Sequence, residues 1–148
     1  MIADAPTITV DLADYADPAD AALLVDLLDA YARDAAGGGQ PLSDFAKKHL
    51  VGELATRPQA FSVLAFDGEQ PVGLVNCIEG FSSFKCKPLV NVHDVAVLAS
   101  HRGRGIAERM LAEAELWFLP LTSCSRMPNS SRTATVEMLF RSIRSIAA

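Results

Sequence analysis

Residues 102–107 read Arg-Gly-Arg-Gly-Ile-Ala and combine the features of a phosphate cradle. Gly103 and Gly105 carry no side chain to hold backbone N–H groups away from an anion, and both can take dihedrals closed to other residues. Arg102 and Arg104 put positive charge beside them. Ile106 and Ala107 then open an amphipathic stretch in which Ile106, Met110, Ala114 and Trp117 recur at helical spacing. Ala107 is small enough to let an anion approach the first helical turn. The loop therefore lies at a helix N-terminus, where unpaired N–H groups and the positive end of the helix dipole favour an anion. A diphosphate is the ligand chemistry expected.

Three readings of this loop compete. In the first, the glycines only make a tight strand-to-helix turn and the arginines are solvated. In the second, Gly103 and Gly105 begin a dinucleotide-binding GxGxxG turn. Against this, Glu108 stands where the third glycine belongs, and the preceding strand closes a meander instead of opening a βαβ unit. In the third, the loop holds the pyrophosphate of coenzyme A.

The elements that must carry the loop follow from periodicity. Residues 7–12 alternate, with Ile8, Val10 and Leu12 apolar, as in a half-buried strand. Asp17-Pro18 starts a helix, and Leu23, Leu24, Leu27, Leu28 and Tyr31 form its apolar face. Gly37-Gly38-Gly39 ends that unit as a linker; with no Lys-Ser/Thr after it, it is no P-loop. Ser43 caps a second helix over 44–55, with Phe45, Leu50, Val51 and Leu54 inward and Lys47, Lys48 and His49 solvated. Arg57-Pro58 stops it. A three-strand meander follows at 60–66, 71–78 and 89–98, its first hairpin marked by Asp67-Gly68. Residues 80–88 read as a loop or irregular strand end, where Phe81 and Phe84 line a pocket or, the favoured reading, plug a core edge. His101 is expected to face solvent, and Pro120 to close the helix after the loop.

The chain has 148 residues, half of them hydrophobic and 21% charged, which suits one packed domain. A net charge of −5 argues against a nucleic-acid binder. No apolar run reaches the roughly 20 residues of a membrane span. Cys77, Cys86 and Cys124 are odd in number and form no CxxC pair, so a reducing compartment is expected. With no secretory signal at the N-terminus, that compartment is read as the cytoplasm.

Residues 90–111, with their His-Asp-Val-Ala-Val strand and Arg-Gly-Arg-Gly-Ile-Ala loop, resemble motif A of the GNAT superfamily of acyl-CoA-dependent N-acetyltransferases. That motif runs Arg/Gln-x-x-Gly-x-Gly/Ala after a strand, and Arg102, Gly105 and Ala107 match it. The order strand, two helices, meander, motif, helix is also similar, over about residues 5–118. The resemblance implies an α/β fold with a mixed, mainly antiparallel sheet flanked by helices, in one domain over 1–148. It implies acetyl transfer from acetyl-CoA to an amine of a small molecule or protein, without a metal. The backbone of Arg102, Gly103, Arg104, Gly105, Ile106 and Ala107 would hold the pyrophosphate, and main-chain groups of Val95 and Val97 the pantetheine arm and thioester carbonyl. Similar enzymes often place an acidic residue at the position of Asp94, which is the favoured base for the amine, with His93 and Glu79 as further candidates. Alternation along a strand puts His93 and Asp94 on opposite faces. The implied partners are an amine-bearing acceptor and, as a candidate, a second copy of the chain, but neither nucleic acid nor membrane.

Residues 119–148 depart from the family pattern. The family's fifth strand would fall in Ser-Cys-Ser-Arg-Met-Pro-Asn-Ser-Ser, a poor strand. Residues 136–146 read as a short helix. In it Leu139-Phe140 resembles the family's Leu-Tyr, whose tyrosine protonates the departing thiolate, but Phe140 has no hydroxyl, and Arg144 replaces a glycine. An atypical, truncated or frameshifted tail is therefore expected. The alternative function is a coenzyme A-binding relative with impaired catalysis.

Overall fold

The computed structural model describes residues 7–123 and 138–139. Its elements are β1 (Ile8–Leu12), α1 (Pro18–Arg33), α2 (Asp44–Ala55), β2 (Ala60–Asp67), β3 (Gln70–Ser82), β4 (Lys87–Val97), α3 (Ile106–Ser123) and β5 (Met138–Leu139). The strands form one sheet in the order β1-β2-β3-β4-β5. The first three pairings are antiparallel and β4–β5 is parallel, so the sheet is mixed and mainly antiparallel.

Helix starts are set by local chemistry. Asp17 accepts from the Ala19 N–H at 2.9 Å with Pro18 at the first helical position, and Ser43 accepts from the Ala46 N–H at 3.1 Å. Each such cap is worth about 1 kcal/mol. The β2–β3 hairpin turns through Gly68 and Glu69, with Gly68 at φ 61°; a positive φ at the first central position only is the II′ pattern.

The sheet has two faces. Against α3 lie Phe61, Val63, Ala65, Val75, Cys77, Val90, Val95 and Val97, met by Ile106, Met110, Ala114 and Phe118. Against α1 and α2 lie Leu64, Leu74 and Ala96, met by Leu24, Leu27 and Leu28. Trp117 is half-buried and tilts on Phe61 at 4.7 Å between ring centroids.

Several expectations are corrected. Phe45 does not point inward: it is 74% exposed and stacks on His49. Residues 80–88 are mostly strand, because β3 runs on to Ser82 and pairs with β4 from Lys87. Phe81 and Phe84 ride out on this hairpin and are exposed, so neither plugs the core. Pro120 does not close α3, which continues to Ser123. A proline so near a helix end removes one N–H and leaves a single carbonyl unpartnered, a smaller loss than in the interior. Residues 138–139, expected in a helix, are strand, paired to Val90 and Asn91. The rest of the expected 136–146 helix, Phe140 included, lies outside the described residues. Among the described residues no helix is long and apolar enough to cross a membrane.

Candidate functional site

The site is built where β4 hands over to α3. The Leu98 N–H donates to the Val72 carbonyl at 2.9 Å, and a single 3-10 turn spans Ala99–His101. His101 is buried here, contrary to the expectation of a solvent-facing ring. Its Nδ1 bonds Ser100 Oγ at 2.7 Å and its Nε2 bonds Asp67 Oδ2 at 3.1 Å, which fastens the loop to the tip of the β2–β3 hairpin.

Gly103 and Gly105 then take φ 74° and 72°. A Cβ at either would meet nothing within 4 Å, so it is the dihedral, not crowding within the chain, that selects glycine. The first bond of α3 runs from the Arg109 N–H to the Gly105 carbonyl at 3.2 Å. The N–H groups of Ile106, Ala107 and Glu108 precede it and have no acceptor within the helix. Ile106, 2% exposed, locks this first turn against the sheet. Successive N–H groups beside left-handed residues make a concave donor array suited to phosphate oxygens.

Both arginines are tied to carboxylates. Arg102 donates from Nε to the Val97 carbonyl at 3.2 Å and from Nη2 to Asp34 Oδ2 at 2.8 Å; Arg104 Nη1 reaches Asp67 Oδ2 at 3.3 Å. Asp34 follows α1, and its carboxyl is held below the usual range by the Ala36 N–H and then by Arg102. A cleft of about 220 Å³ opens between α1 and the end of β4, lined by Leu27, Tyr31, Asp34, Ala96, Leu98 and Arg102.

Along β4 the peptide groups alternate. Leu98 bonds inward to β3, so the peptide groups of Val97 and Val95 point to the outer edge. β5 pairs only with Val90 and Asn91, so beyond them this edge has no strand partner among the described residues. The edge and the glycine loop are joined by the 3-10 turn over Ala99–His101, and Arg102 Nε occupies the Val97 carbonyl.

Asp94 lies on the α1 side of the sheet and accepts from Asn76 Nδ2 at 3.0 Å. Asn76 Oδ1 accepts in turn from Ser62 Oγ at 2.6 Å, and Tyr15 lies 2.8 Å from Ser62 Oγ. The register explains His93. Asp94 pairs with Asn76 and Val92 with Cys77, which leaves His93 as the extra residue of a β-bulge. Val92 and Val95 both pack toward α3, so the bulge cancels the alternation and turns His93 and Asp94 to the same side. That overturns the expectation of opposite faces. Glu79 is exposed and falls on the α3 side, since Asn76 faces α1 and β3 alternates regularly between them. It is not brought together with Asp94. Nothing in residue type or spacing marks Tyr15, Ser62, Asp34 or Asp67 in advance. Asn76 carries one readable sign, an amide inside the otherwise apolar run 71–78.

A model of the acetyltransferase (GNAT) family matches residues 24–135. Among solved structures, an aminoglycoside acetyltransferase from an uncultured soil metagenomic sample, in complex with trehalose, superposes with TM-score 0.62 at 15% identity, covering 84% of this chain and 78% of that one. A ribosomal-protein-alanine N-acetyltransferase from Brucella melitensis biovar Abortus 2308 gives TM-score 0.59 at 19% identity, covering 86% and 83%. An aminoglycoside antibiotic 6'-N-acetyltransferase from Acinetobacter haemolyticus gives 0.61 at 18%, covering 86% and 81%. At such identities the likeness is one of fold. No curated protein matches the sequence.

Proposed function

The chain belongs to the acetyltransferase (GNAT) family, and from that premise we propose that it transfers an acetyl group from acetyl-CoA to an amine. The observation that carries this reading is the arrangement along one strand. Asp94, the outward peptide groups of Val95 and Val97, and the left-handed glycines of the α3 entry follow one another within twelve residues of sequence, Asp94 to Gly105.

The residues fit the cosubstrate. The N–H groups of the Gly103 to Ala107 turn suit a pyrophosphate, and the outer edge of β4 suits the amide-bearing pantetheine arm. When bound, acetyl-CoA supplies an acetyl group activated as a thioester. Val95 and Val97 offer fixed main-chain N–H groups toward the acyl oxygen, a donor set that needs no reorganisation during reaction. Asp94, with one oxygen engaged by Asn76 and the other without a partner among the described residues, can take a proton from the acceptor's ammonium before the neutral nitrogen attacks. His93, on the same side, is the second candidate for that proton. Phe140 offers no acid for the departing thiolate, but a thiol near pKa ~8.5 leaves without one far more readily than an alkoxide.

Thiol release from acetyl-CoA, followed across a panel of amines, tests the reading. The panel includes an aminoglycoside and an alanine-initiated peptide, the acceptors named for the structural neighbours, and a polyamine, which suits a chain of net charge −5. Turnover with at least one amine is expected, and Asp94→Asn should lower it on the order of a hundredfold with acetyl-CoA binding unchanged. A second reading, a coenzyme A-binding member with impaired turnover, is favoured by the missing hydroxyl at Phe140. Binding without thiol release would select it, and no binding would defeat both.

A further inference from the structure

Two neighbouring cross-strand rows on the α1 face differ completely in chemistry. One is Leu64–Leu74–Ala96, wholly apolar and packed on α1. The next is Ser62–Asn76–Asp94, wholly polar, although Ser62 is 0% and Asn76 6% exposed. Buried polar groups add little net stability over an apolar row of the same shape. A buried polar row beside an apolar one therefore calls for a reason other than stability.

The donors in this row have only one consistent assignment. Asp94 is an acceptor, so the Asn76 amide must present Nδ2 to it and Oδ1 to Ser62. Ser62 then spends its only proton on Asn76 Oδ1. Its oxygen can only accept from Tyr15, which must be the donor at the far end. Burial raises the Tyr15 phenol above its usual value, which keeps that proton in place. Every hydrogen bond in the row points toward Asp94. Among the described residues no buried side-chain polar atom is left without a partner.

We propose that Tyr15, Ser62 and Asn76 are positioning residues: a one-directional hydrogen-bond row across three strands that fixes one carboxylate oxygen of Asp94 and aims the other at the acceptor amine. The proposal deepens, and rests on, the reading of Asp94 as the base. The row is an orienting device and not a proton wire, because an amide N–H cannot pass a proton on without becoming an imidic acid. The bulge at His93 serves the same end. It takes up the extra residue of β4, so that Val95 and Val97 keep the α3 face and Asp94 stays level with Asn76, and it adds local twist beside the carboxylate.

A double-mutant cycle decides whether the row acts through Asp94. With the best amine of the panel, Asn76→Leu should lower kcat on the order of tenfold or more, and Tyr15→Phe by about threefold, with the KM for acetyl-CoA unmoved. In the Asp94→Asn background each of these should cost less than about twofold. Losses that simply multiply would overturn the proposal, since a structural role would persist without the carboxylate. Tyr15→Phe removes a single oxygen at the rim of the fold and guards against a variant that fails to fold. A second measurement needs no acceptor. The side-chain amide resonances of Asn76 in the free protein should move in both Tyr15→Phe and Asp94→Asn, and indifference to either sinks the row. If no amine is turned over, the acetyltransferase reading falls while this spectrum still decides the row. If Asp94→Asn keeps the full rate, Asp94 is not the base, whatever the spectrum shows.

Discussion

At the scale of single residues, the loop glycines and the deeply buried thiol of Cys77 make the sharpest claims. Gly105 stands at φ 72° with open space around its α-carbon. Gly105→Ala therefore brings no clash, only the cost of a left-handed conformation, about 1–2 kcal/mol. If the free loop relaxes to escape that cost, binding must restore it, so acetyl-CoA should bind roughly tenfold more weakly by calorimetry. Burial pushes the Cys77 thiol from 9.0 up to about 12. The folded chain holds this thiol neutral while the unfolded chain ionises it. Its contribution to stability is thus complete below pH 9 and lost as the pH rises toward about 12. Urea unfolding midpoints taken across that range should fall more steeply for the native chain than for Cys77→Ala. The two glycines announce themselves in the sequence because a left-handed dihedral costs other residues free energy that glycine does not lose. The partners of the arginines do not, because Asp34 and Asp67 reach Arg102 and Arg104 across 68 and 37 positions of chain.

At the scale of elements, β4 carries most of the proposed site, and its irregularity is the part the sequence hides. The strand itself is legible in the apolar run that ends at Val97, and so are the helix starts at Pro18 and Asp44 through their caps. A bulge has no such marker, since it depends on how β4 registers against β3. His93 looks like any alternating residue until Val92 and Asp94 are seen paired with adjacent residues of β3. The register makes a specific prediction. Deleting His93 leaves Val92 opposite Cys77 and Asp94 opposite Asn76, so the sheet should close with little change in melting temperature. Because bulges add local twist and bend, the straightened strand should misaim Asp94 and lower kcat on the order of tenfold or more. Thermal denaturation and steady-state rates on the deletion variant check both halves. The outward placement of Phe45, Phe81 and Phe84 belongs to the same lesson. Aromatic residues are usually buried, and only the extent of a hairpin or the roll of a helix shows when they are not.

At the scale of the molecule, one sheet serves two purposes on its two faces. The α3 face is a continuous apolar core from Phe61 to Phe118. The α1 face is core at Leu64, Leu74 and Ala96, and one row further on it carries the hydrogen-bonded row of the proposed site. The loop between β4 and α3 is where these layers meet, since Asp34 ties it to the end of α1 and Asp67 ties it to the β2–β3 hairpin. Those two fasteners have a further consequence for how the cradle meets a charged ligand. Each cation of the loop already has its counter-charge within the protein, at 2.8 and 3.3 Å. From a distance the cradle presents little net field, and on the proposed reading it would recognise an anion at contact, by the directions of its N–H groups. Capture should then depend little on ionic strength. Raising sodium chloride from about 50 to 500 mM shortens the Debye length from roughly 14 to 4 Å. Stopped-flow association rates for acetyl-CoA should change by less than about threefold over that range, where two unpartnered arginines would give a steep fall.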